Sequence, residues 1–264
     1  MCSSKIILSA LLALTLATAH ADEPAPASTW HGMILFGVGI GPQYEGGDDY
    51  EAMPLFVGTF SKGNLYMGFE DATFRANFLD SDQYEFGPLV SFASGREDDI
   101  DNTAVAALGS IDTATELGAF AAYSWPLTAD SRMRVGGEYL RDVSDVYDSW
   151  RGGLSLGYSR EIGARWSINV DAALGLVSDD YADTFFSVSR SGAGASGLDQ
   201  YRAQGGADNF GVTLVLGYQL SDNLGLFGVA AFQRLLGDVA DSPIVADAGD
   251  PDQAMVGIGI AYLY

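Results

Sequence analysis

The chain reads as a transmembrane antiparallel up-and-down β-barrel, on three observations. Apolar residues recur at a period of two, no stretch is long and apolar enough for a membrane helix, and the chain ends in an alternating aromatic strand. In Trp166–Leu176 the even-numbered residues are apolar, while Ser167, Asn169, Asp171, Ala173 and Gly175 lie between them. Leu117–Trp125 and Val212–Leu220 repeat the pattern. A soluble sandwich would set charged and branched polar residues on the second face, whereas here that face is mostly Gly, Ala and Ser. A narrow lumen suits such small residues, and aromatics near strand ends suit the girdles of an outer-membrane barrel.

The elements follow in order. Lys5, the apolar run Ile6–Ala17 and the Ala19-His20-Ala21 site predict a cleaved signal peptide over residues 1–21, which carries Cys2 away with it. Residues 22–30, with Pro24 and Pro26, read as a short disordered lead, and residues 31–264 as one barrel domain. Periodicity gives strands at 31–41, 52–62, 64–79, 83–94, 115–126, 131–143, 149–161, 164–178, 208–220, 222–236 and 253–264. These are eleven, and single-chain bacterial barrels use an even number. Splitting 64–79 into Asn64–Phe69 and Thr73–Leu79 restores both parity and topology, giving twelve strands, with ten the alternative. Short periplasmic turns then alternate with long extracellular loops at 42–51, 95–114, 144–149, 179–207 and 237–252.

Composition excludes several function classes. Lys and Arg number 13 against 35 Asp and Glu, a net charge of −22, which argues against a nucleic-acid partner. One cysteine precludes a disulfide framework or a cysteine-based zinc site. Much of the acid falls in the outer loops, as in Glu97, Asp98, Asp99 and Asp101. Loop solubility accounts for it, with bridging of divalent cations to lipopolysaccharide as the sharper reading, but no EF-hand spacing exists and no metal site is assigned. Outside the leader the sole histidine is His31, and no G-x-S-x-G elbow accompanies it, so catalytic residues and cofactors are not expected. Gly37-Val38-Gly39-Ile40-Gly41 lacks the spacing of a nucleotide-binding loop and reads as barrel wall. The inward charges Glu116, Arg134, Glu138, Arg151 and Asp171 would either line a selective pore or fill the lumen as an ion-pair network, and occlusion is favoured. Ile258, Ile260, Tyr262 and Tyr264 form a carboxyl-terminal signature of the kind read by barrel-assembly machinery, which with outer-membrane lipid and lipopolysaccharide is an expected partner.

One resemblance adds to this. Gly41-Pro42-Gln43-Tyr44-Glu45-Gly46-Gly47-Asp48-Asp49-Tyr50, followed by Met53-Pro54-Leu55, resembles the opening motif of the MipA/OmpV family of outer-membrane proteins. Shorter matches follow in order: Gly87-Pro88-Leu89, Ser94-Gly95-Arg96, Leu108 to Asp112, Glu116 with Gly118, Asp142-Val143-Ser144, Tyr181 to Val188, and Ser242-Pro243-Ile244-Val245. Gly47 stands where the family usually has Ser, and Tyr264 where Phe is commoner. The resemblance implies a non-enzymatic scaffold joining a membrane-bound lytic transglycosylase to a bifunctional penicillin-binding protein. A solute channel and a surface adhesin are the alternatives. Pro42 and the two glycines suit a tight turn that packs over the barrel mouth, and Gly41, Pro42, Tyr44, Glu45, Gly46, Asp48, Asp49 and Tyr50 are the candidate partner contact.

Overall fold

Strands with one apolar face leave the fewest main-chain polar groups open to lipid when they close on themselves. The computed structural model, which describes residues 30–70, 72–97 and 99–264, does this with twelve antiparallel strands. They are β1 (His31–Pro42), β2 (Tyr50–Lys62), β3 (Leu65–Glu70), β4 (Thr73–Asn77), β5 (Tyr84–Ala93), β6 (Ala114–Thr128), β7 (Ser131–Asp142), β8 (Trp150–Ile162), β9 (Trp166–Val177), β10 (Gly206–Gln219), β11 (Leu224–Leu235) and β12 (Asp252–Leu263). Each pairs with its sequence neighbour, and β12 closes on β1 from Met33↔Leu263 to Ile40↔Val256. The expected leader, residues 1–21, and lead, up to residue 29, lie outside the described residues.

The split of 64–79 is present as a hairpin of six and five residues, so twelve strands form rather than the alternative ten. Its strands are about half the usual height. The long outer loops differ from unstructured connections, because they carry α1 (Thr103–Ala106), α2 (Asp179–Phe186), α3 (Arg190–Ser196), α4 (Gly237–Asp241) and α5 (Pro243–Ala246). Asn102, Ser178, Ser189 and Ser242 cap four of them through side-chain oxygens.

Outward residues are apolar and exposed, as alternation requires: Val256, Ile258, Ile260 and Tyr262 on β12, and Phe36, Val38 and Ile40 on β1. Aromatic pairs at the periplasmic end, among them Trp166–Tyr218 and Phe60–Tyr264, form one girdle, and Tyr139–Trp150 contributes to the other.

The inward side departs from the small-residue lumen the sequence suggests. Leu35, Leu55, Val57, Val215, Phe227, Val229, Ala231, Met255 and Ala261 form a packed apolar core inside the barrel, on β1, β2 and β10 to β12. The glycines of β1 and β12 make room for it, since a Cβ on Gly37 or Gly259 would meet Phe227 at 3.0 or 2.6 Å. The inward charges gather on the opposite half, β3 to β9.

Candidate functional site

The polar half of the lumen is braced by three ion pairs. Arg151 on β8 donates from Nε and Nη2 to the Glu116 carboxylate on β6 (2.8 and 2.7 Å), and that carboxylate also accepts from the Tyr147 hydroxyl at 2.7 Å. Glu116 has no exposed surface. Arg134 on β7 makes a two-pronged contact with Glu85 on β5 (3.1 and 3.2 Å), whose other donor is the Tyr66 hydroxyl at 2.7 Å. Arg75 on β4 reaches Glu138 on β7 at 3.0 Å and lies over the Phe120 ring. Charges placed in a low-dielectric interior are tolerated only when paired and hydrogen-bonded in this way.

Of the five inward charges read from the sequence, Glu116 and Arg151 meet each other, while Arg134 and Glu138 take partners that the sequence reading missed, Glu85 and Arg75. Asp171 makes no ion pair among the described residues; its carboxylate lies close enough to Gly157 that a Cβ there would meet it at 2.8 Å. Arg75 escaped notice because a five-residue strand gives too few alternations to fix which face points inward. Glu85 sits at the periplasmic end of β5, beside the exposed Tyr84 and Phe86, and the period there marks it as inward.

Over the extracellular end the loops form a roof. One apolar cluster contains Tyr147, Tyr181, Phe186, Val239 and Val245, with Tyr147 and Tyr181 edge to face at 5.1 Å. A second contains Tyr44, Ile100, Val105, Val188 and Ile244. The segments that carry the family resemblance converge here. Pro42 and Gly41 end β1, and Gly46 takes a left-handed φ of 92° so that its carbonyl accepts from Asp250 N at 3.0 Å. Gly249 packs against that same carbonyl, where a Cβ would come within 1.8 Å. Tyr44 is buried and donates to Ala248 O, Glu45 accepts from Tyr181 and Gln233, and the Tyr50 hydroxyl accepts from Ala254 N. Asp48 is exposed at the edge and Asp49 accepts from Gln43 N through its carbonyl. The opening motif therefore grips the β11–β12 loop.

Asp142 organises the next loop. Its carboxylate accepts from the hydroxyl of Ser144 and from main-chain N–H groups of Ser144, Val146, Tyr147 and Asp148, which delivers Tyr147 to Glu116. Arg96 donates to Gly109 O and Phe185 O, and Ser242 donates to Phe186 O at 2.6 Å. Burial pushes the Tyr44 phenol far above its usual range, and Asp48 and Asp49 push it further. Burial, then Glu116, does the same to Tyr147.

Beneath the roof a cavity of about 160 Å³ is lined by Arg75, Glu138, Arg151 and Tyr181 among others. A larger one, about 520 Å³, occupies the periplasmic end between Thr59, Tyr66, Ser131, Arg160 and Asn169. Both reach Arg75, Arg134 and Asp171, so the ion-pair brace stands between them. The carboxyl-terminal Ile258, Ile260, Tyr262 and Tyr264 all face outward along the β12–β1 seam, where Tyr264 and Gly32 exchange two main-chain bonds of 3.0 Å. Among the described residues no group of three or more His, Cys, Asp and Glu side chains is arranged to hold a metal.

The chain is similar to known proteins at three levels. The family model for the MltA-interacting protein MipA matches residues 34–264. "Putative outer membrane protein YiaT" of Escherichia coli, strains K12 and O157:H7, is 28% identical over 106 residues, which are 39% of this chain and 42% of the relative's length. Among solved structures, OmpT of Vibrio cholerae (TM-score 0.42, 8% identity, 91% of this chain and 99% of that one) and the KdgM porin (0.40, 7%, 88% and 98%) are similar. The match spanning nearly all of the closed barrel places this chain in the MipA family, as a twelve-stranded outer-membrane β-barrel.

Proposed function

We propose that this barrel is a non-enzymatic scaffold that holds a lytic transglycosylase and a bifunctional penicillin-binding protein at the inner face of the outer membrane. The observation that carries the reading is the roof: the extracellular mouth is packed with aromatic and aliphatic side chains, and ion pairs brace one half of the lumen below it. Such a barrel is built as an anchor rather than an open conduit, and its concave surface turns to the periplasm. The MltA-interacting description of its family supports a protein partner.

The periplasmic rim offers charged handles in short turns. Arg132 donates to Asp82 O, Asn64 to Asp80 and Asp82, and Arg165 to the Tyr218 hydroxyl. Rim contacts of this kind set orientation and association rate more than affinity. The test is co-purification of the tagged barrel from envelopes in mild detergent. The expected result is recovery of both murein enzymes, reduced when Arg132 and Arg165 are replaced by Glu. Recovery of neither enzyme, from cells shown to contain them, would overturn the scaffold.

A further inference from the structure

The wall of this barrel is incomplete on one side. β3 pairs with β2 only from Val57↔Glu70 to Lys62↔Leu65, and β4 pairs with β5 only from Thr73↔Ser91 to Arg75↔Leu89. Tyr50 to Leu55 of β2 therefore rise above the hairpin with β1 on one side and, among the described residues, no strand on the other. At about 3.3 Å per residue that free edge is about 20 Å long.

Main-chain alternation fixes which groups face the opening. Gln43 N donates to Asp49 O, and Gly32 and Tyr264 bond each other, so odd residues of β2 serve β1 and even residues point toward β3. The N–H groups of Tyr50 and Ala52 and the carbonyls of Tyr50, Ala52 and Pro54 thus project into the opening. None has a main-chain partner there among the described residues. Pro54, the third of these, has no N–H to satisfy.

The opening lies at hydrocarbon depth. Ala52 and Pro54 are level with Ile40 and Val38, and Ile40 with Val256, three residues that are more than half exposed on the lipid-facing side. Phe56, Phe69 and Phe74 form a row below it, with ring centroids 5.9 and 5.5 Å apart. Inside, the cavity under the roof reaches Glu70, Ala72 and Ser91 at the hairpin tip. Open main-chain edges do not persist against lipid tails unless polar groups meet them. The roof covers the mouth with apolar side chains, whereas an amphiphile already in the membrane brings both a tail for the phenylalanine row and a head for the free edge.

We propose that this opening is a lateral window through which the lumen takes in an acyl-chain amphiphile from the outer leaflet, its polar head bonded to the even residues of β2. The test is photo-crosslinking of the full barrel in lipid vesicles with a fatty acid carrying an alkyl diazirine in its tail. A phospholipid with the same tail forms a second arm that distinguishes free acid from membrane lipid as the source. Photolysed alkyl diazirines esterify carboxylates readily, so Glu70, inward and buried at the window's base, is the reporter.

Adducts on Glu70 with either probe, reduced at least fivefold by Ser91→Trp while adducts on outward Phe74 persist, are the expected result. Adducts confined to outward residues would overturn the window. So would inward labelling that reaches Glu85 and Asp130 at the periplasmic end and spares Glu70.

Discussion

Glu116 shows how much one side chain bears in this barrel. It is fully buried, holds both prongs of Arg151 and receives Tyr147 from the roof. Glu116→Ala strands a buried guanidinium, and a loss of about 3–5 kcal/mol is expected by urea unfolding in lipid vesicles. Asp171→Asn, which breaks no ion pair, is expected to cost less than about 1 kcal/mol in the same assay. The roof tyrosines give a pH prediction. Tyr44 and Tyr147 are held protonated by burial and neighbouring carboxylates, so their native values stand above the unfolded value of 10.0. Above that pH the unfolded chain binds fewer protons than the native one, so the stabilisation is complete below pH 10 and falls as pH rises further. Ultraviolet titration of the folded barrel is expected to leave these phenols un-ionised through the ordinary tyrosine transition, with their signal appearing only as the roof opens.

At the scale of elements, the strands and their up-and-down pairing were legible, whereas the contacts among the loops were not. Period two marked the long strands because each has a lipid face, and parity forced the split that became β3 and β4. The helices of the loops are too short to stand out in the sequence: they run four to eight residues, one or two turns, and although Tyr181, Ala182 and Phe186 share one face of α2, what that face packs on lies in other loops. The roof was hidden for the same reason, since Tyr44 meets Ala248 and Arg96 meets Phe185 across gaps that no local pattern spans. Pro54, by contrast, was a visible signal of the free edge: in mid-strand it needs a side with no acceptor waiting. Pro54→Val puts one more N–H into an opening with no strand to accept it, and a lower unfolding midpoint is expected. Phe60→Pro, which removes an N–H facing β3, is expected to cost about 1–3 kcal/mol by the same unfolding measurement.

The whole molecule is divided lengthwise and end to end. Charge pairs occupy the half formed by β3 to β9, apolar packing the other, and a roof covers one end. The inward glycines of β1 and β12 suggested a small-residue lumen, but they are small because Phe227, Leu55 and Val229 come in from neighbouring strands to fill the space. In planar bilayers the intact barrel is expected to be silent, and deletion of residues 179–204 to produce cation-favouring conductance. At the other end, Tyr264→Ser removes the ring set edge to face against Phe60 and stacked on Tyr262, and a smaller heat-modifiable folded fraction on gels is expected.

The apolar core behind β1 and β12 has a consequence for how the barrel is made. The first and last strands, separated by the whole length of the chain, are the final pair to zip, and their join is usually a barrel's weakest line. Here Leu35, Met255 and Ala261 interlock on its inner side as Phe36, Ile258 and Ile260 are wetted by lipid on the outer. Completing the cylinder thus expels solvent from within at the same moment as it satisfies the last main-chain bonds, so the closing step runs downhill and resists reopening.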